Sequence, residues 1–352
     1  PSIYDGIAES PEATGIVFVT RSGQEGQDQK MDAYSDGTPH YLALSKSERG
    51  AIAAAKRICG AVVVVIVGSA PMEVGDLTSG GLEVDAIIHY GHPSERGFSE
   101  LSALLDGDVN PSGRTVDTWS RDFTADPSYV SVGLHTYDNL PTTSGSLTDG
   151  GEFMRTFNEY QEGVYMGYRY YETAALVDPS FSYDDAVVFP FGFGLSYTSF
   201  TQSLDSVVDD GVDVTARVTV TNAGDVSGKD VVQLYAASPY TEMDQAEGIE
   251  KPACQLVDFA KTDLLAPGQS QTLELSFDHE DMASYCYTRE NPNGTVGCYV
   301  LEAGDYEVSL RENSHAVIAR GTVTQDETLW FDGSDAEHTR RSERDAQSAL
   351  DD

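Results

Sequence analysis

Residues 61–67, with the sequence AVVVVIV, constrain the fold of this chain more than any other stretch. An almost uninterrupted β-branched run is too apolar for a strand with one face in water, and it is typical of a central strand in a parallel sheet. Two further strands of the same domain are predicted at 15–20 and 84–90, and the strand at 15–20 is expected to be fully buried. Helices are predicted at 45–58 and through Leu101, Leu104 and Leu105. This order with right-handed crossovers predicts an α/β sandwich with a mostly parallel sheet.

The helix before this central run has recognisable ends. Ser45 and Glu48 form the pattern of a capping box, in which a hydroxyl and a carboxylate satisfy free amides at the first turn. We expect the helix to end near Ile58 and Gly60 to stop it.

From about residue 200 the hydrophobic pattern changes to a period of two. The residues expected on the inner face of one strand are Val212, Val214, Ala216, Val218 and Val220. Further strands are predicted at 231–236, 255–261, 271–277, 304–311 and 315–324. Short strands separated by Gly- and Pro-containing turns predict an all-β antiparallel sandwich of immunoglobulin size.

The sequence thus predicts four parts. They are a partial α/β domain at 1–125, a loop-rich aromatic connector at 126–199, the β-sandwich at 200–331 and a charged tail or linker at 332–352. The connector is expected to pack on the α/β domain, or to stack on sugar rings, through Tyr160, Tyr165, Tyr168, Tyr170 and Tyr171.

The chain has 58 acidic and 21 basic residues, a formal net charge of −37. This field repels phosphate backbones and anionic lipids, so nucleic acid is not an expected partner, whereas neutral sugars are not penalised. The alternative explanation of this net charge is an ordinary hydrated acidic surface with no functional role. No run approaches about eighteen apolar residues, and the start at Pro1, without a signal-peptide pattern, suggests a processed or truncated chain. No membrane contact is therefore predicted, and a cytoplasmic location is favoured.

Residues 21–28 (RSGQEGQD) are the stretch that looks built for chemistry. They follow a predicted strand at the edge of the sheet where open α/β folds bind ligands. Gly23 and Gly26 bracket Glu25 and let the backbone turn sharply, so that one carboxylate can project from the fold. Arg21 and Asp28 are placed to pair across the loop. The alternative is an ordinary hydrated surface loop, in which such residues recur because they turn easily.

Four motifs resemble those of family 3 glycoside hydrolases. They are residues 21–28, 107–114 (GDVNPSGR), 165–171 (YMGYRYY) and 189–197 (FPFGFGLSY). The resemblance implies that the chain carries the C-terminal half of the family's α/β sandwich domain and its fibronectin type III-like domain. It also implies a β-glucosidase-like activity without a cofactor, with Glu25 as general acid/base and with Arg21 and Asp28 supporting the substrate or the loop. Residues 91–97 depart from the family's pattern at Ser94 and Arg96.

The family's nucleophile is an Asp on a (β/α)8 barrel, and no motif here matches it, because Ser35, Asp36 and Gly37 lack the strand context. The resemblance therefore implies part of a retaining enzyme for terminal β-linked sugars, active only with a barrel-bearing polypeptide or domain. The ending of the chain is similar to that of permuted members, in which the barrel follows. The alternative is a non-catalytic carbohydrate-binding or structural module that kept the fold and lost the chemistry.

Histidines and cysteines give weaker signals. His89 and His92 lie at a predicted strand end, where a structural hydrogen bond is a commoner use of His than catalysis. Cys286 and Cys298 flank a turn-prone segment, and a hairpin would bring them together either as a disulfide or as free thiols, depending on the compartment. No His and Cys cluster has the spacing of a zinc site, so no metal is predicted.

Overall fold

The computed structural model divides into two units, which we call the α/β unit and the sandwich unit. The α/β unit comprises Pro1–Ser102, Thr118–Met166 and Asp184–Phe189, and the sandwich unit comprises Ala103–Asp117, Gly167–Tyr183 and Pro190–Asp352. The predicted connector at 126–199 is thus divided between them. The residues that the structure describes are 4–23, 29–131, 135–136, 143–144, 152–153, 156–157 and 159–334.

The helices and strands follow one another in an order that alternates in the first half and is almost all-β in the second. As far as residue 189 they are β1 (Ser10–Thr20), α1 (Lys46–Ile58), β2 (Cys59–Val67), α2 (Gly75–Ser79), β3 (Ala86–His89), α3 (Glu95–Leu105), β4 (Trp119–Ser120), β5 (His135–Thr136), β6 (Thr143–Ser144), β7 (Glu152–Phe153), β8 (Thr156–Phe157), α4 (Tyr168–Val177), α5 (Tyr183–Ala186) and β9 (Val187–Phe189). Beyond it they are β10 (Phe200–Asp209), β11 (Asp213–Asn222), β12 (Val231–Ala237), α6 (Glu242–Glu247), β13 (Gln255–Lys261), β14 (Ser270–Asp278), β15 (Ser284–Glu290), β16 (Val296–Leu301), β17 (Gly304–Arg311), β18 (Val317–Gln325) and β19 (Leu329–Phe331).

The β-branched run forms the middle strand of a parallel sheet, as predicted. Strand β2 pairs in parallel with β1 on one side and with β3 on the other. Val64 and Ile66 of β2 are fully buried and pack with Ile52 of α1 and Trp119 of β4. Burial of such side chains contributes roughly 1.5–3 kcal/mol each, so the core of the α/β unit is concentrated on this strand.

Strand β1 differs from the prediction of a fully buried strand. Its burial alternates, because Val19 is buried whereas Ile16 is exposed and Phe18 keeps 50% of its surface exposed. The physical reason is its position at the edge of the described sheet, with α1 packed on one face. On the other face the described aromatic neighbour of Phe18 is Phe98, at 6.4 Å between ring centroids.

Helix α1 confirms the capping box. The Ser45 hydroxyl accepts from the Glu48 amide at 3.3 Å, and the Glu48 carboxylate accepts from the Ser45 amide at 2.8 Å. The helix ends at Ile58, but Gly60 does not stop it, because the chain is already in β2 at that point. Gly60 is instead required by close packing, since an added Cβ would collide with the carbonyl oxygen of Pro11 on β1.

The sandwich unit contains the predicted antiparallel strands. One sheet has the order β10-β11-β14 and another the order β13-β12-β17-β18. Alternate residues of β11 are completely buried from Val214 to Val220. The last three of them pack in one cluster with Leu234 of β12 and Leu310 of β17, and Val214 packs in another with Val308 of β17. Val212 was expected on the same face but is 70% exposed. It lies in the turn before β11, where Gly211 has a φ of +87°, so the strand alternation does not reach it.

A third sheet, β15-β16-β19, belongs to the same unit. Cys286 of β15 and Cys298 of β16 are directly opposite each other in an antiparallel register, so the predicted hairpin is present. All four cysteines are free thiols in this structure.

The aromatic residue that opens α4 packs on the sandwich strands, and the expectation that the connector packs on the α/β domain stays a prediction. The ring of Tyr168 stacks on Phe191 at 4.7 Å and meets Tyr235 edge-on at 5.9 Å. Its hydroxyl accepts from the amide of Leu256 on β13. A helix that starts with such a ring is therefore fixed to the sandwich core.

Candidate active-site loop

The loop that follows β1 starts at the carboxyl end of the parallel sheet. The amide of Arg21 donates to the carbonyl of Val67 at 2.8 Å, so the chain leaves the sheet beside the end of β2. Gly68 permits this approach, because a Cβ at that position would lie 3.0 Å from the Arg21 carbonyl oxygen. The sequence-predicted site therefore begins at the sheet edge where open α/β folds place ligands.

Arg21 is a buried anchor at the start of the loop. Only 7% of it is exposed, and its guanidinium donates to both oxygens of Glu48, at 2.7 and 2.8 Å. The remaining donors bind the carbonyls of Tyr41 at 2.5 Å, Thr20 at 2.8 Å and Ala43 at 2.7 Å. All five N–H donors thus have acceptors among the described residues, which makes Arg21 a fixed support for the start of the loop.

Glu48 serves Arg21 and the helix at once. Burial would raise the pKa of its carboxyl, but hydrogen bonds from Arg21 and from the Ser45 amide, with the Arg21 charge, outweigh burial and lower the pKa. The carboxylate is therefore held ionised between the loop and the first turn of α1.

Tyr41 holds the two ends of the loop together. Its amide donates to the carbonyl of Lys30 at 2.9 Å, and its hydroxyl accepts from the amide of Ser22 at 2.9 Å. The Arg21 guanidinium lies 5.3 Å from the centre of the Tyr41 ring. Glu25 and Asp28 lie outside the described residues, so their roles and the pairing of Arg21 with Asp28 stay predictions, while the frame on both sides of them is defined.

The segment that follows the loop contains a tight turn in which the side chain of Asp36 is used as a hydrogen-bond acceptor. The carboxylate of Asp36 accepts from the amide of Thr38 at 3.0 Å, and the amide of Tyr34 donates to the carbonyl of Thr38 at 2.8 Å. Gly37 takes a φ of +90°, which the turn requires. The bonds from Thr38 lower the pKa of Asp36, so this carboxylate is a structural acceptor rather than a ready proton donor.

Buried His40 pairs with partly buried Glu73, a contact that the sequence pattern does not predict. The Nε2 atom of His40 is 3.0 Å from Glu73, and the same Glu73 oxygen accepts from the Phe123 amide at 2.8 Å. His40 Nδ1 has no partner within the described part of the chain. No local pattern signals this contact, because the two side chains come from elements 33 positions apart in the numbering.

The other sequence-predicted histidines have simple positions. His89 Nε2 is 2.7 Å from the carbonyl of Gly68, and its ring meets Trp119 edge-on at 5.1 Å. His92 is exposed. His89 therefore fixes the ends of β2 and β3 through a structural hydrogen bond.

Within the described residues, no group of three or more His, Cys, Asp or Glu side chains is arranged to hold a metal ion. Over the same residues, no helix is long and apolar enough to cross a membrane.

Comparison with known proteins identifies both regions. The glycosyl hydrolase family 3 C-terminal domain matches residues 7–168, and the fibronectin type III-like domain matches residues 230–314. The chain is 30% identical to a beta-glucosidase of Ruminococcus albus over 310 residues, which cover 87% of this chain and 27% of that relative.

This chain belongs to glycoside hydrolase family 3.

Solved beta-glucosidase structures agree with the fold. The chain is similar to beta-glucosidase 3B of Thermotoga neapolitana, solved in complex with alpha-D-glucose, with a TM-score of 0.69, 28% identity and coverage of 91% of this chain and 38% of that one. It is also similar to a beta-glucosidase from Paenibacillus barengoltzii, with a TM-score of 0.71, 30% identity and coverage of 90% of this chain and 31% of that one. Among the curated relatives first matched, the chain spans between 27% and 35% of their length. The predicted fold, an α/β domain followed by a fibronectin type III-like sandwich, is confirmed.

Residues of two further family 3 motifs, 107–114 and 189–197, contact one another inside the sandwich unit. Asn110 accepts from the Ser196 hydroxyl at 3.0 Å and from the Tyr197 amide at 2.8 Å, and it donates to the Ser227 carbonyl. Arg114 pairs with buried Asp230 at 2.7 Å. These hydrogen bonds and this ion pair give Asn110 and Arg114 structural contacts within the sandwich unit.

Proposed function

We propose that this family 3 chain is part of a retaining beta-glucosidase-like enzyme and supplies Glu25 as its general acid/base. The nucleophilic Asp comes from a barrel outside this chain. The substrate class is terminal β-linked sugars, with β-glucosides first, and no cofactor takes part.

The observation that supports this proposal is the frame around the loop. Arg21 fixes its start to the sheet and to α1, and Tyr41 ties Ser22 to Lys30. An ordinary surface loop does not need a buried arginine whose five donors all have acceptors at its start. Holding a general acid in a defined position lowers the entropic barrier of proton transfer, which is the use we assign to this frame.

The reaction then proceeds by double displacement. The Asp carboxylate attacks the anomeric carbon while the Glu25 carboxyl gives its proton to the glycosidic oxygen, and the aglycone leaves. The Glu25 carboxylate next takes a proton from water as the water oxygen attacks the anomeric carbon, and the Asp is released. In retaining enzymes the two carboxyl groups lie about 5 to 5.5 Å apart, so Glu25 must reach across to the barrel.

Arg21 and Tyr41 are positioning residues in this scheme, and Asp28 is assigned to loop support. The turn at Asp36 and the exposed Asp32 are not assigned a chemical role. Glu25 is therefore the carboxylate of this segment to test first.

A barrel-bearing polypeptide or domain is the proposed partner. Support comes from β1, which lies at the edge of the described sheet and leaves Ile16 and Phe18 exposed. Edge strands with apolar surface associate readily, and a cover on this face removes that liability. Native mass spectrometry of the purified material tests this proposal, because a lone 38.0 kDa chain that stays monomeric would contradict it.

The decisive experiment replaces Glu25 in the complete protein that includes the barrel. For Glu25→Ala we expect a loss of about 10²- to 10⁴-fold on glucosides with poor leaving groups, since these need protonation. Aryl glucosides with good leaving groups should still form the glycosyl-enzyme, and azide should restore turnover because it attacks without a general base.

Two matched controls come from the same segment. Asp32→Asn and Asp36→Asn remove neighbouring carboxylates and should show no azide rescue. Near-normal hydrolysis of a poor-leaving-group glucoside by Glu25→Ala would overturn the assignment. If the complete wild-type protein binds glucosides without hydrolysing them, the chain is a binding module instead.

A further inference from the structure

We propose that Cys286 and Cys298 are a cross-strand disulfide site, which forms when the chain folds in the presence of a small-molecule disulfide. This inference does not depend on the proposed glycosidase activity, because both cysteines lie in the third sheet of the sandwich unit.

The register of the hairpin carries the proposal. Cys286 on β15 pairs directly with Cys298 on β16 in the antiparallel ladder. Directly opposed residues of such a ladder have Cβ atoms about 4.5–5.5 Å apart, and a disulfide needs about 3.5–4.5 Å. A closer approach of the two Cβ atoms by about 1 Å therefore suffices, and the strand register is kept.

Both side chains point to the same buried side of this small sheet. Cys286 is 0% exposed and Cys298 is 4% exposed. Cys286 packs in a cluster with Ile249 and Val300, with the Trp330 ring against it. The site is therefore apolar and enclosed, which protects a disulfide from reductants once it has formed.

The neighbouring strand limits how the hairpin can move. Strand β19 pairs with β16, and the Arg289 guanidinium lies over Trp330 at 3.9 Å and binds Asp332 at 3.0 Å. The hairpin is thus fixed on two sides, so the two thiols remain opposed rather than sliding out of register.

The chemistry is thiol–disulfide exchange with a low-molecular-weight disulfide such as oxidised glutathione. The Cys286 thiolate attacks one sulfur of glutathione disulfide, and the first glutathione thiolate leaves. The Cys298 thiolate then attacks Cys286 Sγ, the protein S–S bond forms, and the second glutathione thiolate leaves. The two protons lost by the cysteines are taken up by the glutathione thiolates, so the protein pair loses two electrons and glutathione gains them.

The reaction belongs to folding rather than to the finished structure. Burial raises the pKa of the Cys298 thiol to about 11, so little of this thiol is ionised near neutral pH in the folded hairpin. We expect the exchange to occur as the strands first pair, before packing buries the two thiols.

The other two cysteines serve as internal controls. Cys59 starts β2 in the α/β unit, and Cys254 is completely buried, with its pKa raised by burial to about 12. Neither has a cysteine opposite it in the described strand registers. We therefore expect one intramolecular disulfide and two remaining thiols.

Trypsin makes the bond directly visible, because the cleavage point Arg289 lies between the two cysteines. The complete protein is unfolded with a reductant, refolded in a glutathione redox buffer, alkylated and digested. We expect peptide 262–289 to be joined to peptide 290–311, and to separate on reduction. Recovery of both peptides alkylated and unlinked, from protein refolded in excess oxidised glutathione, overturns the proposal, as does preferential linkage of either cysteine to Cys59 or Cys254.

A stability measurement gives a second readout that does not rely on peptides. Closing the segment between the cysteines should lower the unfolding equilibrium constant roughly a hundredfold and raise the Tm by on the order of 5 °C relative to reduced protein. The double variant Cys286→Ala with Cys298→Ala should show no redox-dependent shift, whereas Cys254→Ala should keep it. Equal Tm values for oxidised and reduced wild-type protein would count against a cross-link.

Discussion

Arg21 and Glu48 form a two-bonded ion pair that joins the end of β1 to the first turn of α1. The same Glu48 carboxylate completes the capping box with Ser45. One contact thus fixes the start of the candidate active-site loop and the start of the helix that packs on the sheet, so disturbing it should affect both.

Replacing Arg21 by Ala should destabilise the protein strongly. The change leaves a partly buried carboxylate and three carbonyls without their donor. Removing one partner of a fully buried pair costs about 3–5 kcal/mol and breaking an exposed pair about 0–1 kcal/mol, so we expect a cost between these two ranges. Denaturant unfolding of the wild type and Arg21→Ala measures the difference. The matched control is Arg217→Ala, which breaks an exposed pair with Glu274 and should cost within about 1 kcal/mol. Equal costs for the two variants would contradict the anchoring role.

The contribution of Glu48 should disappear in acid. Its folded pKa is below the unfolded value of about 4.3, so the stabilisation is present above that pH and is lost as the pH falls through the folded pKa. The measured quantity is the difference in unfolding free energy between the wild type and Glu48→Gln. It is followed from about pH 2 to about pH 7, a range that includes the pKa values of carboxyl groups. The difference should be largest near neutral pH and shrink below about pH 4. A difference that grows in acid would show that the sign is wrong.

Removing one hydroxyl should loosen the loop without unfolding the domain. Tyr41→Phe keeps the ring and the hydrogen bond from the backbone amide of residue 41 to the Lys30 carbonyl. It removes the hydroxyl that accepts from the Ser22 amide. In the complete enzyme we expect kcat/KM for a β-glucoside to fall by up to about 10²-fold, because small misplacement of a catalytic group is costly. The Tm should stay nearly constant. Tyr34→Phe, which removes the hydroxyl of an exposed ring in the same segment, is the control and should be close to the wild type.

Two glycines near each other in the chain should respond in opposite ways to alanine. Gly50 lies in the exposed middle of α1 with open space around its Cβ position, so Gly50→Ala should stabilise the protein by roughly 0.5–1 kcal/mol. Gly60 faces the Pro11 carbonyl, and Gly60→Ala should destabilise by more than about 1 kcal/mol. Thermal unfolding of both variants is sufficient. A neutral Gly60→Ala would show that β1 and β2 can separate at that end.

The sequence predicted those features that depend on local pattern. The β-branched run of β2, the alternation of β11 and the Ser45 cap each follow from side chains a few positions apart, and each is confirmed. The resemblance to family 3 was carried by short motifs, and the comparisons confirm it.

Contacts between distant residues were not predictable in the same way. The hydrogen bonds by which Tyr41 joins Ser22 to Lys30, and the His40–Glu73 pair, depend on how separate segments pack. No rule of sequence spacing links the residues of either contact. The prediction that Gly60 stops α1 is wrong because the chain is already in β2 at that residue. The prediction that Val212 is buried is wrong because the alternation of β11 does not extend into the turn before it. The role of Glu25 remains the prediction that the resemblance made.

The path of the chain between its two units has an evolutionary consequence. Segments of the α/β unit and of the sandwich unit alternate along residues 103–189, so neither unit corresponds to one continuous stretch of coding sequence. A single genetic crossover in this region would deliver one unit with pieces of the other missing. The two units are therefore expected to be inherited together, and a lineage that exchanges one of them for a foreign domain must recombine at several points at once.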